Sequence, residues 1–93
     1  MFVQLSIHYP KPGKEKMLID SMHRFGQAIK TQPGLREVHT LRDRKSSCLV
    51  GLALWDSKES MVEARHVMAK AIEGDDFDSW EDKPVISLHL EEA

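Results

Sequence analysis

One cysteine, no asparagine and no long apolar run set the first bounds on this 93-residue chain. Cys48 has no partner, so an internal disulfide framework is excluded. No apolar segment approaches the roughly 20 residues that a membrane-crossing helix needs. Charge of one sign is also missing. The net charge is −2 and the pI is near 6.2, which leaves no electrostatic footprint for nucleic acid, and the few aromatic residues are too scattered to stack bases. Arg42, Arg44 and Lys45 cluster between two strand-like runs and read as a solvated hairpin tip. The lone thiol, with no apolar stretch after Met1, points to a reducing cytoplasm. The histidines are far apart with no His-x-His pair, so no metal site is expected. No phosphate loop, dinucleotide fingerprint or Ser-His-Asp spacing is present, and no cofactor is expected.

The pattern that is present describes a single domain over residues 1–93. Phe2 to Tyr9 alternates as a strand does, and Pro10, Pro12 and Gly13 end it. From Lys14 to Thr31, Leu18, Met22, Phe25 and Ile29 recur at three- and four-residue steps, the mark of an amphipathic helix. Gln32, Pro33 and Gly34 stop that helix. Leu35–Arg42 and Cys48–Trp55 read as a hairpin. Asp56, with Glu59 three residues on, predicts a capping box for a second helix that runs to Glu73 and Gly74. Val85 to Leu90 alternates again.

Strand, helix, strand, strand, helix, strand is the ferredoxin-like split arrangement, an α+β fold with two helices on one face of a four-stranded antiparallel sheet. Val3, Leu5 and Ile7, with Ile86, Leu88 and Leu90, are the expected set against the helices. The other face, bearing Ser6, His8, Gly51, Ala53, Trp55 and Ser87, is then half apolar, and a second copy of the sheet is expected to cover it. A domain this small buries only about 60–65% of its unfolded surface, so a homodimer would also add stability.

The PGKEKM entry to the first helix, the QPGLREVHTLRD passage and LALWDSKESMVEA before the second helix resemble the antibiotic biosynthesis monooxygenase (ABM) domain of the dimeric α+β barrel superfamily. The resemblance covers nearly the whole chain. It implies a homodimer with facing sheets and, in some members, cofactor-independent oxygenation of phenolic or quinol-like substrates between sheet and helices. Many relatives carry a histidine near the position of Ala64, and this chain does not. Haem-degrading relatives use an asparagine on the first strand and a tryptophan on the second helix, both missing here, so that activity is not implied.

His66 falls beside Glu63 and Lys70 on the helical wheel, away from Met61, Ala64, Met68 and Ile72, and is expected in solvent. In the split arrangement the first and third strands are expected to be parallel neighbours, which puts His8 and Trp55 at one end of one face. There they form either a catalytic pair, with the histidine as base, or an aromatic anchor of the dimer. Arg65 lies in the apolar stripe of the second helix, where it either snorkels to solvent or meets a ligand or partner carboxylate. Gly26 opens space on the inner side of the first helix. A substrate pocket between helices and sheet is therefore expected to be lined by Met22, Phe25, Gly26, Arg65 and Met68. Phe77 and Trp80 sit three apart, as on one helical turn, either plugging the open end of the core, docking on the partner or lidding the pocket. Two functions follow: a cofactor-free monooxygenase of a small aromatic substrate, or a non-enzymatic small-ligand or interaction module on the same barrel.

Overall fold

The computed structural model covers Met1–Ala93 and is built from β1 (Phe2–His8), α1 (Glu15–Ile29), β2 (Leu35–Arg42), β3 (Leu49–Trp55), α2 (Lys58–Glu63), α3 (Arg65–Ala71), α4 (Phe77–Trp80) and β4 (Ile86–Glu91). The strands lie in the order β2-β3-β1-β4, every neighbouring pair antiparallel. This is the predicted ferredoxin-like α+β architecture. The second helix is nearly continuous but tightens at Ala64, whose N–H bonds back to Met61 O three residues earlier.

Local chemistry accounts for the element ends. α1 keeps the expected stripe, with Leu18, Met22 and Ile29 buried. Gly34 follows it at φ +86°, a left-handed conformation that glycine adopts without a side-chain penalty, and its carbonyl takes the Asp56 N–H at 2.7 Å. That bond ties the start of β2 to the end of β3. The cap of α2 is Ser57 rather than Asp56: Ser57 accepts from the Ser60 N–H, while the Asp56 carboxylate is turned to Arg36 at 2.5 Å. A guanidinium across the strand ends competes for the acid, and the next hydroxyl takes over the cap.

The two faces of the sheet are the reverse of the sequence expectation. Phe2, His8, Leu49, Ala53 and Trp55 are buried under the helices, whereas Ile86, Leu88 and Leu90 are exposed. Val3 pairs with Leu54 and Leu90, Leu5 with Leu52 and Leu88, and Ile7 with Val50 and Ile86. These residues make an aliphatic grid on the outer face, away from the helices. The strand direction is corrected as well. β3 returns from β2 through a hairpin and is inserted between β2 and β1, so it runs antiparallel to both. Trp55 therefore faces Phe2, and His8 faces Leu49 at the opposite end.

The inner core is divided. One cluster joins Phe2, Ile29, Ala53, Trp55, Met61, Ala64 and Met68, and a second joins Leu18, Met22 and Leu49 under Ile19, Phe77 and Trp80. Between the two ends of the sheet the inward positions are Gln4, Ser6 and Gly51, with Ser87 on the neighbouring strand. Their side chains are short or polar, and the space under α1 is left open there.

Candidate active site

A cavity of about 260 Å³ lies in that middle zone. Gln4, Ser6, Gly51, Ala53 and Ser87 contribute to its floor, Met22 and Phe25 of α1 to its roof, and His8, Thr40, Ile72, Phe77 and His89 to its walls. Every residue of β4 is exposed, so the cavity opens along that edge beside Ser87 and His89.

Of the histidines that line the cavity, His8, His39 and His89, His8 is the buried one, and its surroundings are specific. Its Nδ1 lies 2.7 Å from Glu81 Oε2, and its Nε2 lies 3.0 Å from Ser6 Oγ. Both His8 and Glu81 are more than nine-tenths buried. Glu81 Oε1 accepts from the Tyr9 N–H at 2.8 Å, so each carboxylate oxygen has a partner. A carboxylate is acceptor only. The Nδ1–H therefore donates to Glu81, and in the neutral imidazole Nε2 is the acceptor that faces Ser6.

The backbone explains why Glu81 points there. Asp76 caps the short α4 by accepting from Ser79 N and from Ser79 Oγ at 3.3 and 2.7 Å. The chain then runs beside β1, with Lys11 N donating to Trp80 O at 2.8 Å and Asp82 N donating to Tyr9 O at 2.6 Å. Glu81 sits between these two bonds and is aimed at His8. The ring of Phe77 lies 6.5 Å from the His8 ring and 5.7 Å from Trp80, edge-on to the indole. As expected, Phe77 and Trp80 share one helical turn. Phe77 is at the cavity wall, and Trp80 packs with Phe77 on the second core cluster.

The expected site residues divide. His8, Met22 and Phe25 line the cavity. Trp55 is fully buried in the first core cluster and donates its Nε1–H to Gln4 Oε1 at 3.1 Å, so it is neither beside His8 nor at an exposed sheet face. Met68 belongs to the same cluster, where its sulfur receives the Gln4 amide at 3.6 Å. Gly26 faces Val38, and a β-carbon there would sit 3.5 Å from Val38 Cγ2, an ordinary contact, so this glycine is not what opens the space. Arg65 is exposed and outside the stripe of Met61, Ala64 and Met68; His66 is exposed as expected. The residue missed is Glu81. It was one acid in the run Asp75, Asp76, Asp78, Glu81 and Asp82, with no local mark to single it out. The available signal was on β1: Gln4, Ser6 and His8 form a polar stripe on a strand whose ends are packed, and buried polar groups require partners.

No protein-family model and no curated protein matches this sequence. Solved structures do match its fold. Rv0793 from Mycobacterium tuberculosis superimposes with a TM-score of 0.85 at 14% identity, covering 99% of this chain and 94% of that one. A structure described as an antibiotic biosynthesis monooxygenase gives 0.79 at 8% identity, covering 100% and 99%. A candidate antibiotic biosynthesis monooxygenase from Caulobacter crescentus CB15 gives 0.81 at 11% identity, covering 99% and 89%. No helix of the chain is long and apolar enough to cross a membrane. By its strand order and the full-length match of its backbone, the chain has the ferredoxin-like α+β fold of the antibiotic biosynthesis monooxygenase structures.

Proposed function

We propose that the chain is a cofactor-independent monooxygenase of a small aromatic substrate with an acidic hydroxyl or ring methylene. The observation that carries this reading is the His8–Glu81 pair at the wall of an apolar-roofed cavity. Met22, Phe25 and Ala53 give the cavity an apolar lining suited to a ring, and Ser6 and His8 line the same cavity as partners for its acidic group. His8 Nε2 takes the substrate proton, directly or through the Ser6 hydroxyl, and Glu81 holds the imidazole in the tautomer that can accept it. The anion left on the ring is electron-rich at carbon. It gives its electrons to dioxygen, a C–O bond forms, and the peroxide takes up the proton. Loss of water then breaks the O–O bond and leaves a carbonyl, so a ring methylene and dioxygen become a ring ketone and water. The full-length likeness to structures described as antibiotic biosynthesis monooxygenases supports the reaction class.

Self-association through the outer sheet face is part of the same reading. Ile86, Leu88 and Leu90 are 42, 41 and 43% exposed in the single chain, and they continue the aliphatic grid of β1 and β3. Such a contiguous patch calls for a cover.

The test is oxygen uptake with polycyclic phenols or anthrone-like substrates, compared with their methyl ethers and read beside product mass. We expect uptake with the acidic substrates, a product that has gained one oxygen and lost two hydrogens, and loss of both on His8→Ala. Binding without oxygen uptake would leave a ligand-binding module instead.

A further inference from the structure

We infer that Ser6 is a nucleophile and that the cavity hydrolyses small apolar esters or lactones, a second chemistry that rests on the reading of His8 as a base. Three residues of β1 share one face at two-residue steps: Gln4, Ser6 and His8. The last two, with Glu81, form an acid–base–hydroxyl chain, 2.7 Å from Glu81 Oε2 to His8 Nδ1 and 3.0 Å from His8 Nε2 to Ser6 Oγ. That order of groups is what activates a serine hydroxyl. The hydroxyl is also given room. A β-carbon at residue 51 would lie 2.7 Å from Ser6 Oγ, so only glycine on the neighbouring strand leaves the oxygen where it is.

Gln4, two residues before Ser6 on the same face and also lining the cavity, is the candidate donor for the carbonyl oxygen. Its Oε1 is held by the Trp55 Nε1–H at 3.1 Å, which fixes the amide plane and turns Nε2 toward the Met68 sulfur at 3.6 Å. A thioether is a weak acceptor, and the amide has a second N–H. The strand therefore presents donor, nucleophile and base in sequence along one cavity wall.

The step balances without a redox partner. Ser6 Oγ bonds to the ester carbonyl carbon, and its proton passes to His8 Nε2. The carbonyl π electrons move onto oxygen beside the Gln4 amide. Collapse breaks the bond to the alcohol oxygen, which leaves with the proton from Nε2. Water then adds to the acyl-serine, gives a proton to Nε2 and releases the carboxylic acid as Ser6 Oγ regains its hydrogen. An ester and water become an acid and an alcohol.

The experiment is phosphonylation under argon with an alkyl fluorophosphonate, read by intact mass and by peptide mapping, with 4-nitrophenyl butyrate hydrolysis in parallel. We expect one adduct, on the peptide that carries Ser6, none on Ser6→Ala, and labelling slowed about a hundredfold or more by His8→Ala. Circular dichroism verifies that each variant is folded, and the site of the adduct on the unmutated protein decides the matter even if a variant does not fold. No adduct on Ser6, or equal labelling without His8, overturns the proposal. Oxygen uptake by phenols is measured separately in air. If it persists without an adduct, His8 remains a base and Ser6 is only a relay; if the adduct forms without uptake, the oxygenase reading alone fails.

Discussion

Gly51 on β3 is the seat of Ser6 on β1: the two are paired across the ladder, and a β-carbon on the glycine would stand 2.7 Å from the serine oxygen and 3.4 Å from Met22 Cε. Gly51→Ala therefore expels the hydroxyl rather than the backbone. The serine needs only a new rotamer, so denaturant unfolding should report a loss of about 1 kcal/mol or less. The hydrogen bond to His8 Nε2 should be lost, together with any activity that depends on Ser6. A crystal structure of the variant with Ser6 Oγ still 3.0 Å from Nε2 would contradict this.

Glu81→Gln tests the imidazole tautomer. The Tyr9 N–H requires an acceptor, so the new amide oxygen stays on it and the amide nitrogen faces His8 Nδ1. Nδ1 must then accept, the proton moves to Nε2, and the ring donates to Ser6 instead of accepting from it. Nitrogen-15 spectra of the histidine ring should show the exchange of roles. The stability loss should be about 1 kcal/mol, the worth of one hydrogen bond weakened but not orphaned.

The order of elements and nearly all their ends were legible in the sequence, because helix and strand periods differ and because Pro33, Gly34 and Gly74 mark the breaks. Which sheet face the helices cover was not. Both faces of β1 and β3 carry apolar residues, and the more uniformly aliphatic set, Val3, Leu5 and Ile7, was the natural choice for a core. The helices instead cover Phe2 and Trp55 at one end and Leu49 at the other, where bulky side chains reach far enough to meet them, with the cavity in the gap. Arg65 misled through the same wheel that placed His66 correctly. The tightening at Ala64 breaks the even 100° progression, and the guanidinium goes out to solvent.

Leu88→Asp addresses the outer face. Leu88 is 41% exposed in the single chain, so the charge should be tolerated by the fold of one chain yet prevent two aliphatic sheets from meeting. Sedimentation should give twice the chain mass for the unmutated protein and the chain mass for the variant, with unchanged far-ultraviolet dichroism. A concentration-independent monomer before mutation would remove the assembly from the proposed function.

Arg65→Ala and His66→Ala should both be nearly silent. Each side chain is exposed and outside the cavity, so stability should change by no more than about 0.5 kcal/mol and ligand binding should be retained. Loss of binding in either variant would mean that the second helix presents a different face in solution.

Asp43 at the tip of the β2–β3 hairpin should titrate below its ordinary 3.8, first because the Ser46 hydroxyl donates to its carboxylate at 2.5 Å and then because the Ser46 N–H does so at 2.8 Å. The folded state holds the ionised form more firmly than the unfolded chain does. The contribution is therefore fully present above the ordinary value and is lost as pH falls through the lower, folded one. Carbon-13 titration of the Asp43 carboxyl, followed with exchange of the Ser46 amide, should show the turn loosening in that acid range.

The carboxylate that orients His8 comes from 73 positions farther along the chain. During synthesis, β1, α1 and the β2–β3 hairpin can emerge and pair while His8 still lacks Glu81. The imidazole, its hydroxyl partner and their glycine seat are thus laid down early, and the carboxylate that fixes the tautomer follows later, together with the strand that closes the open edge of β1. A nascent chain halted before residue 81 would carry a nearly finished sheet and an imidazole with no fixed tautomer. Reactivity at Ser6 would then serve as a timer for completion of the fold.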